Sequence, residues 1–199
     1  MKIVIVGAGV VSYMIYSIRK ETPTELIESY SPISPSVIYD INGNQLDTII
    51  VENRSPISIN DVPKHVQDAF LAIEDRKFRT HHGFDFVRTG RAMFLTLTGR
   101  RREGGSTITQ QLAKNAFLTP ERTWIRKAKE AILAIEIENA LNKQEILELY
   151  LNKIYLGYRS YGVAAAAKTY FGKELNQLTL SEMAVIAGLP SSRLRAAVC

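Results

Sequence analysis

Cysteine is almost absent from this sequence: Cys199, the last of 199 residues, is the only one. A disulfide framework and a cysteine-based zinc site within one chain are therefore excluded, because each needs several cysteines. Internal repeats and low-complexity tracts are absent too. The composition, 46% apolar and 23% charged, excludes a disordered tail or a collagen-like rod. The length fits one domain of ordinary size, or one domain with a short appendage.

Acidic residues are scarce in one region. Residues 76–129 carry 13 Lys and Arg against three acids, a local net charge of +10, whereas the whole chain carries +5. Such a region predicts an anionic partner: nucleic acid, an anionic membrane surface or a phosphate-bearing substrate. No aromatic residues interleave with the basic ones as in nucleic-acid-binding motifs, which argues against nucleic acid. Residues 94–102, FLTLTGRRR, join an apolar patch to three arginines, as in a peripheral membrane contact.

Charge is missing altogether from residues 3–18, which are bracketed by Lys2 and by Arg19-Lys20. As a helix this segment would span about 24 Å, slightly less than the ~30 Å hydrocarbon core of a bilayer. Snorkelling of the flanking cations would make up the difference. This interpretation predicts a single transmembrane anchor helix over residues 1–20.

The same segment has an alternative interpretation as a buried strand that enters a Gly-rich turn of a dinucleotide-binding fold. Gly7, Gly9 and Ser12 would then occupy the three glycine positions. That fold needs a second apolar strand after the first helix, but residues 21–35 are rich in Pro and Ser. We therefore predict a linker over residues 21–35 and favour the anchor.

The remaining residues have the pattern of a mainly helical domain that begins with a small β-hairpin. Two β-rich runs flank Asn42-Gly43, a strong hairpin signal. Six helical segments follow, over residues 61–75, 107–118, 122–141, 143–157, 162–172 and 179–189. Ser106 is the expected N-cap of the second helix. Capping boxes are expected at the start of two later helices, at Asn142 with Glu145 and at Thr179 with Glu182.

The densest polar cluster is residues 74–85, EDRKFRTHHGFD. A solvated, charged turn is one explanation. Phe78 and Gly83, however, give the loop an apolar anchor and a flexible point. A carboxylate at a helix end beside apolar side chains is partly desolvated, so Glu74 is a candidate general base. The two adjacent histidines would point in different directions, which makes them a weak metal site.

Two further segments are candidates for binding an anion. Residues 104–115 form a Gly-rich turn entering a helix, where backbone N–H groups and the Ser106 and Thr107 hydroxyls can donate. The alternative is an ordinary helix cap, and the spacing is not that of a P-loop. Lys127 and Glu130 lie three residues apart on one helical face, as a structural ion pair or as part of a cationic clamp.

Five blocks, in order, resemble the peptidoglycan glycosyltransferases of family 51, the transglycosylase domain of class A penicillin-binding proteins and of monofunctional transglycosylases. The first, at residues 74–85, is E-D-x-x-F-x-x-H-x-G-x-D, and the second, at residues 104–115, is G-x-S-T-I-T-Q-Q-L-x-K-N. The third is R-K-x-x-E at residues 126–130. The fourth is I-L-E-x-Y-L-N-x-I-x-x-G at residues 146–157, and the fifth is A-x-x-Y-F-x-K with a later E-x-A at residues 167–184.

The resemblance implies a lysozyme-like helical domain over residues 36–199 and a polymerase of lipid II. The implied reaction joins lipid-linked disaccharide units into β-1,4 glycan by inverting transfer and releases polyprenyl pyrophosphate. Glu74 matches the catalytic base, and Glu130 matches the second essential carboxylate. The implied substrate-binding residues are Asp75, Phe78, His81, Gly83, Arg88, Ser106, Thr107, Gln110, Gln111, Lys114, Asn115, Arg126 and Lys127. Glu148, Tyr150 and Asn152 are expected to support the fold.

The resemblance also implies partners and a location. It implies no metal site and no required cofactor, although Mg²⁺ or Mn²⁺ would help to neutralise the pyrophosphate. The implied partners are lipid II, the lipid-linked growing glycan, the membrane and transpeptidases or other cell-wall synthesis proteins, with no nucleic acid. The implied location is the bacterial cytoplasmic membrane, crossed once, with the catalytic domain on the outer or periplasmic side. Residues 94–102 correspond to the family's membrane-dipping segment.

The chain departs from the family in two ways. No transpeptidase motif is present, since the S-x-x-K at residues 17–20 lacks a following K-T-G, and residues 191–199 do not match the usual continuation. Two alternative functions remain. A lysozyme-like lytic hydrolase or lytic transglycosylase would act on finished glycan, but would leave the basic region unexplained. A non-catalytic, membrane-anchored scaffold would not need both Glu74 and Glu130.

Overall fold

The computed structural model describes residues 12–13, 16–17, 36–49, 53–99, 104–118 and 123–190. The predicted linker over residues 21–35 lies outside the described residues, as does nearly all of the predicted anchor over residues 1–20. In the part of the chain that is described, no helix has the length and apolar character needed to cross a membrane.

The described chain is mainly helical with little β-structure, as the sequence predicts. Its α-helices are α1 (Lys64–Glu74), α2 (Phe86–Leu97), α3 (Ile108–Phe117), α4 (Trp124–Ala140), α5 (Lys143–Lys153), α6 (Val163–Phe171) and α7 (Leu180–Gly188). A short 3-10 helix covers Leu175–Gln177. The strands are β1 (Ser36–Tyr39), β2 (Gln45–Ile49), β3 (Asn53–Arg54) and β4 (Ser160–Tyr161).

The predicted hairpin around Asn42-Gly43 is confirmed. Strands β1 and β2 pair antiparallel, and Gly43 adopts a φ of +85° in the turn between them. The Asp40 carboxylate accepts hydrogen bonds from the backbone N–H groups of Asn42 and Asn44, which closes the turn from within. Glycine is required here because a positive φ is costly for other residues.

Local capping chemistry sets the helix starts. Both predicted capping boxes are present, Asn142 with Glu145 at α5 and Thr179 with Glu182 at α7. The prediction of Ser106 as the N-cap of α3 is wrong. Thr107 caps this helix because its hydroxyl accepts from the Gln110 N–H while the Gln110 side chain returns to the Thr107 N–H. A glutamine three residues after Thr107 completes the box one position later than expected.

The core is built around α3, which packs against α4 and α5, while α1 packs against α7. Large side chains from these helices are fully buried together: Phe70, Leu112, Leu133, Ile137, Ile146 and Leu151. Each contributes roughly 1.5–3 kcal/mol on burial. This core holds α3 rigidly between its neighbours, and α3 carries several of the predicted site residues.

A parallel pairing that the sequence does not predict joins distant parts of the chain. Asn53 of β3 lies opposite Ser160 of β4, and Arg54 lies opposite Tyr161. Each strand is two residues long, too short to produce a periodic pattern. The pairing brings the segment before α1 next to the segment between α5 and α6.

Candidate active site

Glu74 lies in the last turn of α1 and is only 8% exposed. Its Oε2 accepts a hydrogen bond of 2.7 Å from Nε2 of Gln111 on α3. No described residue donates to the other carboxylate oxygen, Oε1. One oxygen is thus restrained by α3 while the other is left to accept a proton, the arrangement that a general base requires.

The neighbouring Asp75 side chain is completely buried and joins α1 to α3. Its Oδ2 accepts from the backbone N–H of Ile108, at 3.0 Å, and from Nε2 of His81, at 2.8 Å. An ionised carboxylate only accepts hydrogen bonds, so His81 donates from Nε2. Asp75 therefore fixes the first turn of α3 against the end of α1 and sets the orientation of the His81 ring.

The segment entering α3 is attached to the first turn of α2. Arg88 Nε donates to the carbonyl oxygen of Gly104 at 3.2 Å, and Thr89 Oγ1 donates to that of Gly105 at 3.0 Å. Gly105 also lies so close to α2 that an added Cβ would come within 3.0 Å of the Ala92 Cβ. Gly105 thus permits a close approach of two backbones.

Ser106 and Thr107, which follow Gly105, form hydrogen bonds with α4 and with the loop after α1. The Ser106 hydroxyl accepts from the ammonium of Lys127 on α4 at 2.7 Å. The Thr107 hydroxyl donates to the carbonyl oxygen of Gly83 at 2.7 Å. Since Thr107 is buried, its hydroxyl serves the helix cap and this contact together. The start of α3 is consequently held in place by α2, α4 and the loop after α1.

Glu130 is the second buried carboxylate, with 2% exposure. One oxygen accepts from Arg126 Nη1, and the other accepts from Lys127 Nζ at 2.7 Å. The three residues lie on one face of α4 at the spacing of neighbouring turns. Glu130 thereby holds two cations side by side, one of which also contacts Ser106 at the start of α3.

Gly83 is placed by a close contact with α4. Its φ is +77°, and a Cβ at this position would lie 2.8 Å from the carbonyl oxygen of Ala134. Phe78 is buried, and the ammonium of Lys143 lies 4.5 Å from the centre of its ring. Lys143 also donates to the carbonyl oxygen of His81 at 2.7 Å. The loop of the first block is therefore folded inward onto α4 and α5.

The sequence motifs do not indicate the contribution of Lys143, Glu138 and Thr109. Glu138 lies on α4 and accepts from Lys143 Nζ at 2.7 Å and from Thr109 Oγ1 at 2.6 Å. These partners come from three helices. No spacing within one helix could have indicated them, and the burial of Thr109 is visible only in the structure.

Helix α2 presents an apolar face to solvent. The exposed side chains include Phe86, Val87, Phe94 and Leu97, which are 60–80% exposed. Of the predicted membrane contact at residues 94–102, the structure describes residues 94–99, and residues 100–102 lie outside the described residues.

Asp85 caps helix α2 by accepting a hydrogen bond from the Arg88 N–H. That hydrogen bond and the nearby charge of Lys77 hold the pKa of Asp85 below its ordinary value.

The other predicted site residues are distributed over two helices. Lys114 and Asn115 are exposed on α3, while Gln110 is buried in the capping box. On α5, Asn152 exchanges two hydrogen bonds with the backbone of Ile57, and Glu148 accepts from the N–H of Ile59. Tyr150 is buried, with its ring edge-on to Phe70. The described residues contain no group of three or more His, Cys, Asp or Glu arranged to hold a metal ion.

The chain is similar to known proteins. A family model described as Transglycosylase matches residues 42–196. The chain is 61% identical over 159 residues to penicillin-binding protein 1A of Haemophilus influenzae, covering 79% of this chain and 19% of that protein. It is 50% identical over 158 residues to penicillin-binding protein 1F of Bacillus subtilis, covering 79% and 22%. It is 48% identical over 191 residues to penicillin-binding protein 1A of Escherichia coli, covering 95% and 22%.

A solved structure is similar as well. The crystal structure of penicillin-binding protein 1A from Haemophilus influenzae matches with a TM-score of 0.40 and 37% identity, over 82% of this chain and 15% of that chain. The chain spans about a fifth of the length of the curated relatives that it matches.

Proposed function

The chain belongs to the transglycosylase family, and we propose that it polymerises lipid II into β-1,4 glycan by inverting glycosyl transfer, with release of polyprenyl pyrophosphate. The observation that carries the proposal is the placement of two buried carboxylates, Glu74 and Glu130, near the start of α3. Glu74 accepts from Gln111 in the first turn of α3. Glu130 binds Lys127, which in turn contacts Ser106 just before this helix. None of the described residues donates to Oε1 of Glu74, which leaves it to accept a proton, and Glu130 holds two cations. A lysozyme-like arrangement of the helices is part of this proposal.

Glu74 acts as the general base in this mechanism. A sugar 4-hydroxyl is a poor nucleophile, so a base must take its proton as it attacks C1 of the growing strand. Attack opposite the α-linked pyrophosphate inverts the anomeric centre in one displacement, without a covalent enzyme intermediate. The bond from C1 to the pyrophosphate oxygen breaks, and its electron pair leaves with the pyrophosphate. Gln111 keeps the carboxylate oriented for the attack.

Arg126 and Lys127 supply the positive charge at the leaving group. Negative charge gathers on the pyrophosphate in the transition state, and cations already held in place stabilise it without reorganising. Glu130 neutralises one of the two charges and fixes the position of both. The contact between Lys127 and Ser106 keeps this cluster next to the start of α3.

The substrate is lipid-linked, so the reaction takes place at a membrane. The exposed apolar face of α2 and the basic region at residues 76–129 suit a surface of anionic lipids. We place the domain on the outer or periplasmic side of the bacterial cytoplasmic membrane, with residues 1–20 as a single-pass anchor. Transpeptidases and other cell-wall synthesis proteins are the proposed partners.

The test supplies labelled lipid II to the purified full chain in detergent. We expect glycan polymer from the native protein and a rate about 10²–10⁴-fold lower from Glu74→Gln, which keeps the size of the side chain but cannot accept a proton. Glu174→Gln is the matched control, since the Glu174 side chain is 61% exposed and lies between α6 and α7, away from the site. Breakdown of preformed glycan would instead indicate a lytic enzyme, and the absence of any turnover would indicate a scaffold.

A further inference from the structure

The guanidinium of Arg88 lies between two backbone carbonyls that belong to different elements. Its Nη1 donates to the carbonyl oxygen of Glu74, and its Nε donates to that of Gly104 at 3.2 Å. Nη1 also lies 3.9 Å from Oδ1 of Asp75. The side chain is 28% exposed, so much of it is enclosed by these contacts.

We propose that Arg88 is a positioning residue for Glu74. Its guanidinium fastens the last carbonyl of α1 to the segment that enters α3, and so fixes the Glu74 side chain relative to Gln111. The inference rests on the proposed function. It gives Arg88 a different role from that of a substrate-binding residue, which the family resemblance implies.

The carbonyl of Glu74 needs a donor from outside its helix. The last four carbonyls of an α-helix have no partner within the helix, and a cation at this end also interacts favourably with the helix dipole. Arg88 meets both needs at the residue that carries the base. A shift of this carbonyl moves the Cα of Glu74 and therefore the carboxylate attached to it.

The buried carboxylate of Asp75 needs a positive charge nearby. Its Oδ1 is buried and has no hydrogen-bond partner among the described residues. A completely buried carboxylate is stable only when a cation and hydrogen bonds compensate it. Arg88 is the guanidinium that faces this oxygen. Because Asp75 also binds the Ile108 N–H, the same arginine supports the attachment of α3 to α1.

The two carbonyl contacts of residue 88 require a guanidinium. Its planar fork places several N–H donors at fixed angles, so one side chain can serve two carbonyls on separate elements. A lysine ammonium is a compact charge on a different stem and cannot reproduce both contacts. Two of the Arg88 nitrogens already donate to the protein backbone, which leaves less of the group for a phosphate.

The experiment compares Arg88→Met and Arg88→Lys with Arg76→Met in the full chain. Arg76 is a matched control because its Nε donates to the carbonyl oxygen of Ala72 near the same end of α1, at 3.0 Å, on an exposed surface. We expect both Arg88 variants to lower kcat for lipid II polymerisation about 10–100-fold, with KM changed by less than about 2-fold. Arg76→Met should match the native protein.

Backbone amide hydrogen exchange provides a readout independent of turnover. Residues 108–111 should exchange faster in both Arg88 variants than in the native protein and in Arg76→Met, because the contact between Ile108 and Asp75 loosens. A native protein that makes no polymer would overturn the proposed function alone. Unchanged exchange at these residues would overturn the role of Arg88.

If Arg88 instead bound the pyrophosphate of the substrate, the kinetics of its variants would differ. In that case KM rises while kcat is retained, and Arg88→Lys keeps most of the activity because an ammonium also binds phosphate. Either result would contradict the proposal. If circular dichroism shows that Arg88→Met does not fold, Arg88→Lys decides the question, since it preserves a cation near Asp75.

Discussion

At position 130 a buried carboxylate compensates two cations of its own helix. Glu130→Gln keeps the size of the side chain but leaves Arg126 and Lys127 adjacent without a counter-ion. The side chain of Lys127 is 42% exposed, so solvent screens part of the repulsion. We therefore expect the free energy of unfolding to fall by about 2 kcal/mol, less than the ~3–5 kcal/mol of a fully buried pair. Urea denaturation measures this change.

The control for this variant is Glu174→Gln, the same chemical change in an ion pair at the surface. Glu174 pairs with Lys168 at 3.1 Å, and both side chains are at least half exposed. Its replacement should alter the free energy of unfolding by less than about 0.5 kcal/mol, because solvent screens such a pair. Equal losses for the two variants would mean that Glu130 does not compensate the cations.

Spacing along the chain predicted some of the site's residue pairs and could not predict others. Lys127 and Glu130 are three residues apart on one helix, so their contact follows from helix geometry. Gln111 is 37 residues from Glu74, and their contact depends on where the fold places α3 relative to the end of α1. No pattern of neighbouring residues predicts a contact between residues so far apart in sequence. The motif of the resembling family brought both residues into the predicted site without giving the contact between them.

Among the elements, the loop between α1 and α2 is fixed by Gly83. Gly83→Ala should lower the free energy of unfolding by about 3 kcal/mol, because it adds backbone strain at φ +77° and a clash with the carbonyl oxygen of Ala134. Gly172→Ala separates the two effects, since Gly172 has φ +64° but open space around it, and should cost only about 1 kcal/mol. Thermal and urea denaturation of both variants give the comparison, and similar losses would exclude the clash.

Helix α5 is attached to the segment before α1 by Asn152. Asn152→Asp keeps the acceptor for the Ile57 N–H but places a carboxylate oxygen against the Ile57 carbonyl. We expect a loss of about 2 kcal/mol in the free energy of unfolding, with KM for lipid II unchanged, as for a residue that supports the fold. Asn176→Asp, at an exposed position, is the control. A changed KM with native stability would instead assign Asn152 to substrate binding.

At the scale of the whole molecule, stability should depend on the few acids of the basic region. Asp85 is one of three acids within residues 76–129. Its pKa lies below the ordinary value of 3.8, so its stabilisation is present above that pH and is lost as the pH falls through the lowered pKa. Asp85→Asn keeps a good helix cap but removes this titration.

We therefore expect the native protein to be more stable than Asp85→Asn near neutral pH, and the difference to shrink below pH ~4. Urea midpoints measured for both proteins across the acid range provide the test. Parallel curves would show that the charge of Asp85 contributes nothing to folding.

The overall architecture was largely readable from the sequence, because most of its elements are local. The Asn42-Gly43 turn and the capping box at Asn142 each depend on neighbouring residues, and each was predicted. The pairing of Asn53 with Ser160 was not predicted, because two residues carry no periodicity and the partners are far apart in sequence. The contacts of Arg88 with the carbonyl oxygens of Glu74 and Gly104 were not predicted for a similar reason, since the partners are 14 and 16 residues away in sequence.

The pairing of β3 with β4 also has a consequence for the order of folding. It closes a loop of roughly 100 residues that contains Glu74, Glu130 and the helices that carry them, and closure of such a loop costs about 4 kcal/mol of chain entropy. Contacts this distant form late, after local helices have condensed. The contacts that hold Glu74 join residues 14 to 37 apart in sequence, so they can form before the two strands meet. Most of the active-site contacts should therefore precede the pairing of β3 with β4 during folding.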